Sequence, residues 1–105
     1  MQHLTEVFIA GNAQSGYAPV NGINMYYETC GEGDGQPLVL IHGGGSTIQS
    51  SFGRIIPALS QKRKIIAMEL QAHGRTSDRD ANESFEQDAD DVAALGEVGG
   101  FGHLL

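Results

Sequence analysis

Four apolar residues, Leu38-Val39-Leu40-Ile41, stand between Pro37 and the run His42-Gly43-Gly44-Gly45, and this junction limits the folds open to the chain. A continuous apolar run bounded by proline and glycine suits a short strand buried on both faces, and such strands belong to parallel sheets. The three glycines carry no Cβ, so their backbone is free to take positive φ, turn sharply and aim bare N–H groups at a ligand oxygen. The run is no Walker loop, because no Lys follows it. It is no dinucleotide fingerprint either, because Ile48 stands three positions beyond Gly45.

The flanking sequence supplies partners for this strand. Tyr17–Val20 and Ile23–Thr29 are β-like segments about Asn21-Gly22, the pair that suits a type I′ turn, and they predict a hairpin. Gly31 to Pro37 is glycine-rich and acidic, the composition of a solvated loop. Ile48, Phe52, Ile55, Ile56 and Leu59 fall at helical spacing, with Ser50 or Ser51 as a cap and Pro57 blurring the boundaries. Ile65–Leu70 reads as a second buried strand, parallel to the first through a right-handed crossover. Residues 71–76 form a turn-rich loop. Residues 84–95 predict a helix capped by Ser84, with Glu86 in its first turn and Phe85, Ala89, Val92 and Leu95 on one stripe.

At 105 residues the chain is one domain, able to bury roughly 65% of its unfolded surface. Its 13 acidic and 6 basic residues give a formal charge of −7, which disfavours nucleic acid and anionic membranes as partners. The single cysteine, Cys30, excludes an internal disulfide and reads as a small buried hydrophobe; no Cys/His spacing suits zinc and no cofactor is implied. The N-terminus lacks a positive charge, and Val7-Phe8-Ile9-Ala10 is too short for a signal or membrane segment, so a cytoplasmic protein is expected. Residues 1–16 read as a flexible lead-in.

Pro37 to Gly45, then Glu69-Leu70-Gln71-Ala72-His73-Gly74-Arg75-Thr76, then Ser84-Phe85-Glu86-Gln87 and Asp90 through Leu95, together resemble the N-terminal part of an α/β-hydrolase. The resemblance covers residues 17–95 and includes the leading hairpin. It implies an incomplete three-layer α/β sandwich, a β-hairpin followed by βαβα. It also implies that His42 closes the third strand, that Gly43, Gly44 and Gly45 lie in the oxyanion loop, and that residues 71–76 follow the fourth strand. Hydrolysis of an ester, lactone, epoxide or similar bond in a small-molecule substrate is the activity it suggests. The family continues into a nucleophile elbow, and later an acid and a catalytic His. Residues 96–105 diverge, with no Ser, Cys or Asp between their glycines. The resemblance therefore predicts a chain cut before the elbow and inactive alone, with no catalytic residue of its own.

Each candidate has a plainer reading beside the functional one. His42 fits a structural role holding the loop, and the three glycines fit either a ligand-free tight turn or an anion-binding nest. His73 reads as a turn residue and His103 as a tail residue. Glu86, Asp88, Asp90 and Asp91 read as a solvated helix face rather than a cation site. In the resembled fold the third strand lies between the fourth and a fifth, so Leu38, Val39, Leu40 and Ile41 would form an open sheet edge. Two copies pairing there would make a homodimer with one continuous sheet, a non-catalytic module that self-assembles. The alternative is that Phe101–Leu105 folds back over that edge.

Overall fold

The computed structural model describes residues 13–33 and 35–105, so most of the lead-in expected over residues 1–16 lies outside them. From Gln14 the chain is already strand. The hairpin is longer than its sequence signal: β1 covers Gln14–Val20 and β2 covers Ile23–Cys30, antiparallel from Gln14 opposite Thr29 to Val20 opposite Ile23. Asn21 (φ 47°) and Gly22 (φ 86°) both take the left-handed conformation, as a type I′ turn requires.

Two short strands complete the sheet. β3 is Leu38–Ile41 and β4 is Ile65–Met68, and the sheet order is β1-β2-β4-β3. β4 runs antiparallel to β2 and parallel to β3, with Leu38 opposite Ile65 and Ile41 opposite Met68. The period of two sorts side chains into two cores. Ala18, Val20, Ile23, Met25, Ile66 and Met68 face one side, whereas Tyr26, Cys30, Leu40, Ile65 and Ala67 face the other. Burial pushes the Cys30 thiol pKa up, as suits a buried hydrophobe.

Helices cover both faces. The one amphipathic helix expected after the glycines is two, α1 (Ile48–Phe52) and α2 (Ile56–Ser60), packed on the Leu40 face. Pro57 sits in the first turn of α2, where its missing N–H costs nothing, and so marks a start rather than a weak interior. The cap of α1 is Thr47, not Ser50 or Ser51: the Thr47 side chain accepts from the Ser50 N–H while Ser50 Oγ accepts from the Thr47 N–H. On the opposite face α3 (Phe85–Val98) starts at Ser84, whose side chain accepts from the Gln87 N–H, and buries Val92 and Leu95. Phe85 and Ala89 depart from the expected stripe: both are exposed, Phe85 at 91%, and both border the cleft described below.

Helix α3 runs past Leu95, and the segment after it folds back. Gly96 O accepts from the N–H groups of Phe101 and Gly102, Phe101 packs edge-on against Tyr27 at 5.6 Å, and Leu104 enters the core. Among the described residues this segment makes no backbone hydrogen bond to β3. It seals the core beneath the sheet instead of pairing with its edge.

Asp91 is a second departure from the expected solvated face. Fully buried, it accepts from both Arg79 Nη2 (2.9 and 3.0 Å) and the Asn21 and Gln87 side-chain amides. Arg79 also donates to Asn21 O, so one ion pair ties the hairpin turn to α3.

Candidate functional site

β3 delivers His42 and the glycines to the end of the sheet where β4 passes into residues 69–76. His42 is buried, and its Nε2 accepts from the Leu70 N–H at 3.0 Å. That donor fixes the proton on Nδ1, which donates to Gly43 O at 2.8 Å. His73 repeats the arrangement: Nε2 accepts from the Gly45 N–H at 3.0 Å and Nδ1 donates to Gln71 O at 2.8 Å. The two rings lie 4.8 Å apart. Both imidazoles are thus held by main-chain groups on both nitrogens, and together they clamp the glycine loop to the loop after β4.

The glycines are not equivalent. Gly45 alone of the three takes positive φ, 75°, whereas a Cβ on Gly43, Gly44 or Gly45 would meet nothing within 4 Å. The turn is closed by the Ser46 N–H donating to Gly43 O. With the Gly45 N–H committed to His73, the N–H groups of Gly43 and Gly44 have no acceptor among the described residues. Both glycines border a cleft of about 650 Å³. Ile41, Leu70, Phe85, Val92 and Leu105 give that cleft a mainly apolar wall, which would strengthen any hydrogen bond to a charged oxygen held there.

Two acidic residues shape the site: Glu69, to which the sequence assigns no role, and Asp88, which is expected on a solvated helix face and instead turns a buried oxygen toward the cleft. Glu69 is fully buried at the end of β4 and accepts from the N–H groups of Ile48 and Arg75 and from the Arg75 guanidinium at 3.1 Å. Burial alone would raise its pKa, but those hydrogen bonds outweigh burial and hold the carboxyl below its usual range. Glu69 therefore joins the start of α1 to the loop carrying His73. The sequence signal was a lone acidic residue closing a wholly apolar strand, with Arg75 six positions on. Asp88 lines the cleft from α3, and its Oδ1 has no hydrogen-bond partner among the described residues. Burial, then the nearby Glu83 and Asp91 charges, push its pKa up. The other sequence candidates stand apart: Glu86 borders the cleft exposed, Asp90 is exposed on α3, and His103 offers only its carbonyl, to Gln36.

No family model matches the chain. It is 40% identical over 66 residues to a 2-hydroxy-6-oxo-6-(2'-aminophenyl)hexa-2,4-dienoic acid hydrolase of Metapseudomonas resinovorans, a match covering 61% of this chain and 22% of that enzyme. It is 31% identical over 78 residues to a non-heme chloroperoxidase of Streptomyces lividans, covering 74% of this chain and 28% of the relative. Among solved structures, the epoxide hydrolase CorEH superposes with a TM-score of 0.72 at 30% identity, covering 82% of this chain and 29% of that one. The chain thus spans less than a third of the length of each of these proteins. No helix among the described residues is long and apolar enough to cross a membrane.

Proposed function

Because this chain carries the N-terminal part of the α/β-hydrolase fold, we propose that His42, Gly43, Gly44 and Gly45 form the oxyanion loop of a hydrolase acting on an ester, lactone, epoxide or similar bond. The observation that supports this most is the pair of uncommitted N–H groups, Gly43 and Gly44, at the rim of an apolar cleft. Donors fixed in advance beside a developing oxygen anion lower the barrier by stabilising that charge. His42 and His73 are positioning residues in this reading. Each holds one wall of the loop, and with both nitrogens occupied neither is free to take a proton from a nucleophile.

Positioned donors without an activated nucleophile supply only part of a hydrolase's rate enhancement. The chain alone is therefore inactive in this account, and the nucleophile, acid and catalytic base belong to the remainder of the fold. The single buried thiol fits a reducing, cytoplasmic setting. The purified chain should show no turnover of p-nitrophenyl acetate above buffer and no labelling by a serine-directed phosphonate. Stoichiometric labelling of one serine, such as Ser46 or the cleft residue Ser84, would overturn the inactive-alone reading.

A further inference from the structure

The pair that turns the hairpin, Asn21-Gly22, carries chemistry of its own. It is the single Asn-Gly step in the sequence, and both residues are exposed. An Asn side chain closes most readily on the next backbone nitrogen when glycine follows, because no Cβ hinders the approach. A Cβ on Gly22 would meet nothing within 4 Å, so nothing packs over the turn, and the Gly22 N–H has no acceptor among the described residues. The other side of Asn21 is held firmly. Its Nδ2 donates to Asp91 Oδ1 at 3.0 Å, and its carbonyl accepts from Arg79 Nε at 3.2 Å and Nη2 at 3.1 Å. Asp91 is fully buried and the Arg79 side chain is only 11% exposed. The side chain and the main chain of Asn21 are thus each tied to one half of a buried ion pair.

We propose that Asn21 is a site of spontaneous deamidation that the Arg79–Asp91 pair holds closed. In the opened turn the Gly22 nitrogen, its proton lost to solvent base, attacks Asn21 Cγ. The Cγ–Nδ2 bond breaks, ammonia leaves and a cyclic imide remains. Water then adds to either imide carbonyl and reopens the ring, leaving aspartate or its isoaspartyl isomer at position 21. Ring closure needs the side-chain amide to leave Asp91 and the backbone to rotate away from Arg79, so local opening of the network sets the rate. The product cannot restore the hold: a carboxylate oxygen stands where Nδ2 donated, facing the Asp91 carboxylate with no proton between them. The isoaspartyl form also lengthens the main chain inside a tight turn whose conformation fixes the hairpin register. Either product therefore loosens the hairpin from α3, at the place where the native chain is tied most closely to it.

The test follows replacement of the Asn21 amide by peptide mass mapping of the chain held at mildly alkaline pH. Three samples are compared: the native chain, the same chain unfolded in urea, and Arg79→Lys, which keeps a charge beside Asp91 but loses the fork that grips Asn21 O. The native chain should convert at least about tenfold more slowly than the unfolded one, and Arg79→Lys, shown to be folded by circular dichroism, should convert several-fold faster than wild type. A native chain that converts as fast as the unfolded chain would overturn the proposal, as would a folded Arg79→Lys that converts no faster than wild type. Should Arg79→Lys not fold, thermal melting of Asn21→Asp against Asn21→Gly decides. Both lose the amide donor, but only Asn21→Asp sets a charge against Asp91, and it should melt at the lower temperature; an equal or higher melting temperature would contradict the proposed effect of the product.

Discussion

Single residues set the shape of the glycine loop, and they do so unequally. Gly45 holds φ at 75°, a conformation that costs an alanine about 1 kcal/mol, whereas Gly44 has neither positive φ nor a neighbour within 4 Å of an added Cβ. Gly45→Ala should therefore lower stability by about 1 kcal/mol in urea unfolding, with Gly44→Ala close to neutral; the reverse order would mean the turn is misassigned. A triple glycine shows where the chain can turn and not which residue turns it; of the three, Gly45 takes the positive φ. Glu69 and Asp88 respond oppositely to pH. A carboxyl with a folded pKa below its unfolded value adds stability above the ordinary value of 4.5, and that stability is lost as pH falls through the folded pKa; Glu69 is this case. For Asp88, raised above 3.8, the folded chain holds the proton more tightly, so the ionised group costs stability at neutral pH and the cost disappears on acidification. Asp88→Asn should accordingly melt at the same temperature or higher at pH 7 and lose this advantage near pH 3. A clear drop in melting temperature at pH 7 would show that the Asp88 carboxylate is paired in solution.

Among the elements, those with a strong local period were legible and those set by distant partners were not. The hairpin follows from Asn21-Gly22 and alternation, and β3 and β4 follow from short apolar runs. The break between α1 and α2 was half visible in Pro57, but a spacing argument joins Ile48 to Leu59 across Gly53 because their side chains do share one face. Asp91 looked like one more charge on an acidic helix. Its partner Arg79 lies on an irregular loop twelve positions upstream, and no periodicity connects the two. The end of α3 is likewise fixed by contact at a distance. A Cβ on Gly96 would stand 2.1 Å from Gly102 O, so the helix admits the returning chain only because that position is glycine. Gly96→Ala should cost about 1–3 kcal/mol, the usual range for overpacking, and should release Phe101 from Tyr27. Calorimetry with near-ultraviolet dichroism checks both, and an unchanged melting temperature would show that residues 101–105 do not pack on the sheet in solution.

The described residues form a four-stranded sheet with α1 and α2 on one face and α3 on the other, and the glycine loop stands at the rim of the cleft between β3 and α3. Motif order along the chain was enough to expect this architecture. The clamp made by His42, His73 and Glu69 was not, because it joins the loop after β3 to the loop after β4 through hydrogen bonds that sequence spacing does not encode. That clamp leaves two donors, Gly43 and Gly44, facing no acceptor among the described residues, and the functional reading rests on them. The most direct measurement is an amide nitrogen–proton spectrum of the chain titrated with acetate as the oxyanion probe. The Gly43 and Gly44 resonances should shift together and saturate, while the Gly45 resonance, its N–H held by His73, moves less. Glycine amides that stay fixed up to high acetate concentration, or shifts confined to other loops, would contradict the assignment of this loop as an oxyanion site.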